Sequence, residues 1–321
     1  MESPLGAWLG EELFGVSLVM SDHLASEHVE VSAVCEKLEA YKGKMLRPSM
    51  VLLSWKAVNQ TNCSCAPERV RVAGGVTELI HLATLVHDDV LDDADLRRGA
   101  QTINCLLGNE AAVMLGDFLL SSAFLLCSTI RNPELNLLLG RVTNTLCAGE
   151  LVQLSNRNNI DLSIDSYYQI IHDKTASLIA ASCEMGAILG GGTQKQIKAM
   201  KKFGSDIGVA FQIKDDLLDV LGERSVIGKP AGRDLEKGKL TLPVIKMLGN
   251  NPSLKPNVIT LFKNNDRDGI RDLLESTGSV QCAYEEVGVL VDSATKGIKQ
   301  CVQNDASEQL CLLAEQINTT I

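Results

Sequence analysis

Apolar residues recur along this chain at helical rather than strand spacing. From 76 to 90 they are Val76, Leu79, Ile80, Ala83, Val86 and Val90, the i, i+3, i+4 stripe of a helix that buries one face. Similar stripes run over residues 25–41, 111–130, 135–155, 165–191, 197–221, 241–249 and 286–302. Strict apolar/polar alternation is scarce, so strands are not expected. Gly190-Gly191-Gly192 should end one helix and open a turn. Residues 58–67 are the most irregular stretch and are expected as a surface loop. With no clear internal repeat and no linker-like run of Gly, Ser or Pro, the pattern predicts an all-α, single-domain, multi-helix bundle over residues 1–321.

Two polar interruptions of this pattern share one spacing. Asp88-Asp89-Val90-Leu91-Asp92 and Asp215-Asp216-Leu217-Leu218-Asp219 both read D-D-x-x-D. On a helix the first and last carboxylates stand one above the other, with the middle one about 100° round. Helical steps backwards from the first triplet give His81, Thr84, Asp88 and Asp92, a polar line on an otherwise apolar helix. Gln212, Asp215, Asp216 and Asp219 make its counterpart, among Phe211, Ile213, Leu217, Leu218 and Val220. A solvated acidic face would not be flanked on both sides by core residues, so the two lines are expected to border an internal cavity. Carboxylates gathered there need cations. Oxygen donors suit Mg²⁺, which keeps waters and bridges to substrate phosphates. The alternating D-x-D-x-D-G loop of an EF-hand is absent.

Charge narrows the ligand. The net charge of −10 disfavours nucleic acid and gives no general attraction for an anionic substrate. Six carboxylates holding three Mg²⁺ ions would be neutral, so a bound diphosphate needs local cations. Arg97-Arg98 stand beside the first triplet, and Lys229 and Lys239 follow the second. Cysteines change little: Cys63 and Cys65 lack zinc-site spacing, and Cys127, Cys147 and Cys183, in apolar stretches, are expected as buried thiols of a reducing compartment. Met1-Glu2-Ser3-Pro4 has no signal-peptide character, and residues 111–130, with Asp117 near the middle, suit a core helix better than a membrane span. The expectation is a cytoplasmic protein.

The ordered motifs resemble those of the trans-isoprenyl diphosphate synthases over nearly the whole chain. They are Gly43-Lys44-Met45-Leu46-Arg47-Pro48, Glu78-Leu79-Ile80-His81, the first triplet with Arg97-Arg98-Gly99, Gly116-Asp117, Gly149-Glu150, Lys174-Thr175, Gly208, Phe211-Gln212-Ile213-Lys214 with the second triplet, Gly228-Lys229-Pro230, Asp234, Gly238-Lys239 and Thr241-Leu242-Pro243. The resemblance implies an isoprenoid synthase fold around a deep central cavity, a homodimer, and condensation of an allylic diphosphate with isopentenyl diphosphate. It further implies that Asp88, Asp89, Asp92, Asp215, Asp216 and Asp219 hold Mg²⁺ on the allylic diphosphate, which Arg97, Lys174, Lys229 and Lys239 neutralise. Lys44, Arg47, His81 and Arg98 would bind isopentenyl diphosphate, and Thr175 and Gln212 would line the reacting carbon. Membrane contact would be transient, for product release.

One departure is Lys42, where the family's first basic motif starts with a second glycine. Two matching aspartate triplets and few aromatics argue against a terpene cyclase, and intact aspartates argue against a non-catalytic regulatory subunit. Product length turns on Ala83 and Thr84, about one turn before Asp88. Short-chain relatives tend to carry Phe or Tyr there. Small residues leave the floor open, which implies products longer than fifteen carbons, with twenty-five to fifty in range; the alternative is a farnesyl or geranylgeranyl diphosphate synthase.

Overall fold

The computed structural model of the chain describes residues 4–61, 63–222, 233–264 and 266–319. Among them the structure is almost entirely helical, as expected. The exception is one antiparallel pair of two-residue strands, Leu96–Arg97 with Ala100–Gln101. Packing divides the chain into two compact units: Met1–Thr143 with Leu178–Gly204 and Gly297–Cys311, and Asn144–Ser177 with Ser205–Lys296 and Leu312–Ile321.

The first unit is built on α4 (Glu68–Leu91), which packs on α6 (Asn109–Thr129) and, less extensively, on α3 (Leu46–Val58) and α1 (Pro4–Leu24). From Val72 to Ile80 every residue of α4 is buried, so this half is core on all sides. Each such aliphatic side chain contributes roughly 1.5–3 kcal/mol through burial. Beyond Ile80 the helix opens one face, and His81, Thr84, Asp88 and Asp92 are all half-buried along it. α6 is long and apolar enough to span a membrane, and its Ala112, Leu115, Leu119, Ala123 and Leu126 are buried in the core of this unit.

The second unit holds α8 (Ile164–Ile171), most of α10 (Gln194–Leu221), and α11 (Arg233–Glu236) through α15 (Ser279–Lys299), with α12 (Leu242–Asn250) between. The helix expected over 165–191 is interrupted by a π-turn, His172–Ala176, before α9 (Ser177–Leu189). α10 comes close to this turn: a side-chain carbon at Gly208 would lie 2.5 Å from Ala176 Cα. Without that carbon, α10 presses directly on the turn.

Other expectations are refined. Residues 25–41 split into α2 (Val29–Glu36) and a 3₁₀ turn, Lys37–Tyr41. α1 and α3 went unseen because their apolar residues do not keep to one face; α3 is buried on nearly all sides. Cys127 and Cys183 are buried, but Cys147 is exposed, since it falls on the outward stripe of α7 (Pro133–Ser155) with Asn144 and Leu151. All ten cysteines are free thiols. α9 ends as expected, with Gly191 at φ +73°.

Candidate active site

In the first unit, α4 carries Asp88, Asp89 and Asp92 into its last turn and C-cap. Asp88 and Asp92 lie on the open line, whereas Asp89 is 2% exposed. Its carboxylate accepts from Tyr41 Oη at 2.6 Å and from Arg97 twice over, Nη2 to Oδ1 at 2.8 Å and Nε to Oδ2 at 2.9 Å. This is the bidentate fork that a buried carboxylate needs. The Arg97 guanidinium also sits 5.6 Å from the Tyr41 ring centroid. Burial, and then the hydrogen bond to Asp89, hold the Tyr41 hydroxyl above its ordinary pKa.

A tight turn follows, with Arg98 at φ +51° and Gly99 at φ +82°. It sends the two arginines to different partners. Arg98 Nη1 donates to the carbonyls of Tyr41 (2.7 Å) and Lys42. This contact explains Gly43, where a side-chain carbon would come 2.9 Å from Arg98 Nη2. Lys42 itself turns outward to Glu39, so the departure from a second glycine leaves this clamp intact.

Arg47, in the first turn of α3, is the third arginine of this cluster, and Lys44 is exposed beside it. Burial lowers the Arg47 pKa to about 10, with Glu78 opposing. Burial likewise raises the Glu78 carboxyl, against the pull of Arg47 and Arg98. Arg47 Nε and Glu78 Oε2 are buried without a hydrogen-bond partner among the described residues. The orphaned Arg47 nitrogen is a donor that suits a bound anion, and the Glu78 oxygen is an acceptor that suits a water. Burial and the fields of Arg47, Arg97 and Arg98 hold His81 well below its ordinary pKa, so at neutral pH its ring is uncharged. Glu78 carries no role in the sequence analysis beyond its place in the motif that ends at His81, and Tyr41 has no local pattern that would reveal it.

In the second unit, the middle aspartate is again the buried one. Asp216 is 6% exposed, while Asp215 is exposed and Asp219 half-buried. Asp216 accepts from Tyr167 Oη at 2.7 Å and from Gln212 Nε2 at 2.9 Å. Gln212 Oε1 in turn accepts from Thr175 Oγ1 at 2.8 Å. Thr175, Gln212 and Asp216 therefore form one chain of hydrogen bonds from the π-turn into α10. Burial, with Asp234 next, pushes the Asp216 carboxyl well above the usual range, against the two donated hydrogen bonds. Lys174 is held by Glu150 and by Gln153 Oε1 at 3.0 Å. Asp219 Oδ2 accepts from the Asp234 amide at 3.0 Å, and Lys239 Nζ stands 3.9 Å from Asp234 Oδ1. Lys229 lies outside the described residues.

Within each unit many of the expected residues are engaged with protein partners: Asp89 with Arg97, Arg98 with two carbonyls, Asp216 with Tyr167 and Gln212, Lys174 with Glu150, and Asp219 and Lys239 with Asp234. Among the described residues no three acidic, His or Cys side chains converge as a finished metal cage. The accessible carboxylates, Asp88, Asp92, Asp215 and Asp219, still fit Mg²⁺. They are hard oxygen donors, few per ion, as befits a metal that takes its remaining ligands from water and substrate phosphate.

The chain matches the polyprenyl synthetase family over residues 28–276. It is 36% identical to heptaprenyl diphosphate synthase component 2 of Geobacillus stearothermophilus, over 76% of this chain and 75% of that protein. It is 33% identical to a short chain isoprenyl diphosphate synthase of Methanothermobacter thermautotrophicus, over 87% of each. The structure superposes on a decaprenyl diphosphate synthase from Rhodobacter capsulatus with TM-score 0.89 at 30% identity, covering 97% of this chain and 96% of that one. Helical architecture, paired aspartate triplets and full-length similarity agree: the chain belongs to the polyprenyl synthetase family and is a trans-prenyltransferase.

Proposed function

We propose that this enzyme condenses an allylic diphosphate with isopentenyl diphosphate, with Mg²⁺ as cofactor, to give all-trans products longer than fifteen carbons, in the C25–C50 range. The observation that carries this reading is the repeated geometry of the triplets, each offering its outer aspartates and burying its middle one. Asp88, Asp92, Asp215 and Asp219 would hold the metal, which supplies Lewis-acid stabilisation of the departing diphosphate. Lys174 and Lys239 add positive charge for the allylic diphosphate, and Lys44, Arg47, Arg98 and neutral His81 receive isopentenyl diphosphate. The allylic carbon–oxygen bond breaks with its electron pair on diphosphate, the isopentenyl double bond attacks the cation, and the released diphosphate takes the proton. Thr175 Oγ1 keeps lone pairs to face that cation while it donates to Gln212.

The family match over 28–276 draws on residues of both units and supports a single functional domain. Ten free thiols support a cytoplasmic setting, and a net charge of −10 supports a protein without nucleic-acid partners. We read the working form as a homodimer. A second reading, a catalytic component that needs an unlike partner, is favoured by the relative named component 2.

Purified protein, labelled isopentenyl diphosphate, Mg²⁺ and allylic primers of ten, fifteen or twenty carbons decide among these. Elongation beyond C15 by the protein alone is expected. Products stopping at C15 would overturn the length assignment, and inactivity without a second chain would favour the heteromer.

A further inference from the structure

Each acidic triplet has its own tyrosine. Tyr41 stands 48 residues before Asp89 and Tyr167 stands 49 before Asp216. Tyr41 is 1% and Tyr167 3% exposed, and each gives its hydroxyl to the buried middle carboxylate, at 2.6 and 2.7 Å. The remaining partners differ: Arg97 completes the first site and Gln212 the second. The tyrosine is the part common to both.

Its effect follows from helix geometry. The middle carboxylate projects about 100° from the line of the outer two. Pinning it from the side fixes both the rotation and the axial position of that helical turn. Without the pin, small rotations of the turn would swing the outer carboxylates away from a shared metal. A site held within about 0.5 Å needs this kind of support from behind. Asp89 and Asp216 are also 2% and 6% exposed and face protein donors, Tyr41 and Arg97 for the first and Tyr167 and Gln212 for the second, so neither is as open to an ion from solvent as the outer carboxylates are.

We propose that Tyr41 and Tyr167 are positioning residues, each aiming the outer aspartates of its triplet at Mg²⁺ through a middle aspartate that is not itself a ligand. This rests on the Mg²⁺-dependent reading above.

Phenylalanine at either tyrosine removes only the hydroxyl and keeps the ring, including the stacking of Arg97 on residue 41. Two measurements test the proposal. The first is the Mg²⁺ concentration for half-maximal turnover, with each diphosphate's KM at saturating Mg²⁺. The second is Mn²⁺ bound in the presence of inorganic diphosphate, counted by electron paramagnetic resonance. Tyr41→Phe and Tyr167→Phe should each raise the Mg²⁺ requirement about three- to tenfold, with both KM values within about twofold. Asp216→Asn, whose partners are neutral and tolerate an amide, should bind as many Mn²⁺ ions as wild type, more weakly. Asp215→Asn should bind fewer. The proposal is overturned if both tyrosine variants lose thermal stability with no change in Mg²⁺ requirement, or if Asp216→Asn loses Mn²⁺ stoichiometry as Asp215→Asn does. A wild type that binds Mn²⁺ but makes no product would refute the functional reading and leave the count of ligands standing.

Discussion

Ala83 and Thr84 are neighbours in sequence with different surroundings. Thr84 lies on the half-buried polar line with His81 and Asp88, its hydroxyl on the His81 carbonyl at 2.8 Å, whereas Ala83 is 2% exposed and part of the core. The sequence reading treated them alike. Helix phase separates them: Thr84 is about 40° from Asp88 round the axis and Ala83 about 140°. Thr84→Phe is therefore expected to fold, stay active and shorten the product toward fifteen or twenty carbons. Ala83→Phe should instead overpack the core, at about 1–3 kcal/mol. Product chromatography beside thermal melts checks both, and unchanged chain length in a folded Thr84→Phe would defeat the open-floor idea. His81 supplies a pH test. Its folded pKa lies well below its ordinary value near 6.5, so the unfolded chain binds the extra proton and stability is lost as pH falls below about 6.5. The fields of Arg47, Arg97 and Arg98 add to burial in this lowering. His81→Gln should flatten the fall in Tm between pH 7.5 and 5; parallel curves would refute it.

At the scale of elements, the helix carrying the first triplet was legible because its polar line is a local, periodic signal. Tyr41 was not, because a partner 48 residues away leaves no mark on that period. The π-turn was hidden for a similar reason: the stripe over 165–191 reads continuously through it, and only the approach of Gly208 reveals the break. That approach has a functional consequence. Thr175 precedes Ala176, Gln212 lies one turn beyond Gly208, and the Thr175–Gln212 hydrogen bond bridges the two segments. Gly208→Ala would place a methyl carbon 2.5 Å from Ala176 Cα and 2.7 Å from its Cβ, so the helices must move apart. The expected result is a stability loss of about 1–3 kcal/mol, together with reduced turnover from the stretched hydrogen bond. A variant with wild-type Tm and turnover would show that this contact is not tight.

For the whole molecule, the helical spacing of apolar residues made an all-helical, well-cored chain legible, but it says little about which surface meets another chain. The clearest indication is the outward face of α6, where Val113 is 41%, Met114 65%, Phe124 38% and Leu125 63% exposed. Asp117 shares this face, its side chain 57% exposed, and a carboxylate there would be costly in a lipid interior. A protein surface suits the mixture better, and a second copy of the chain would supply one by two-fold symmetry, each α6 then presenting the same residues to the other. Burying these side chains would contribute roughly 1.5–3 kcal/mol for each one fully covered. Wild-type protein should therefore sediment at twice 34.6 kDa, and the double variant Met114→Glu/Leu125→Glu should run as a monomer by putting two carboxylates into that contact. A dimer that survives both charges would place the interface elsewhere. A monomeric wild type that instead binds uncharged phosphatidylcholine vesicles, with the double variant failing to bind, would assign the face to membrane.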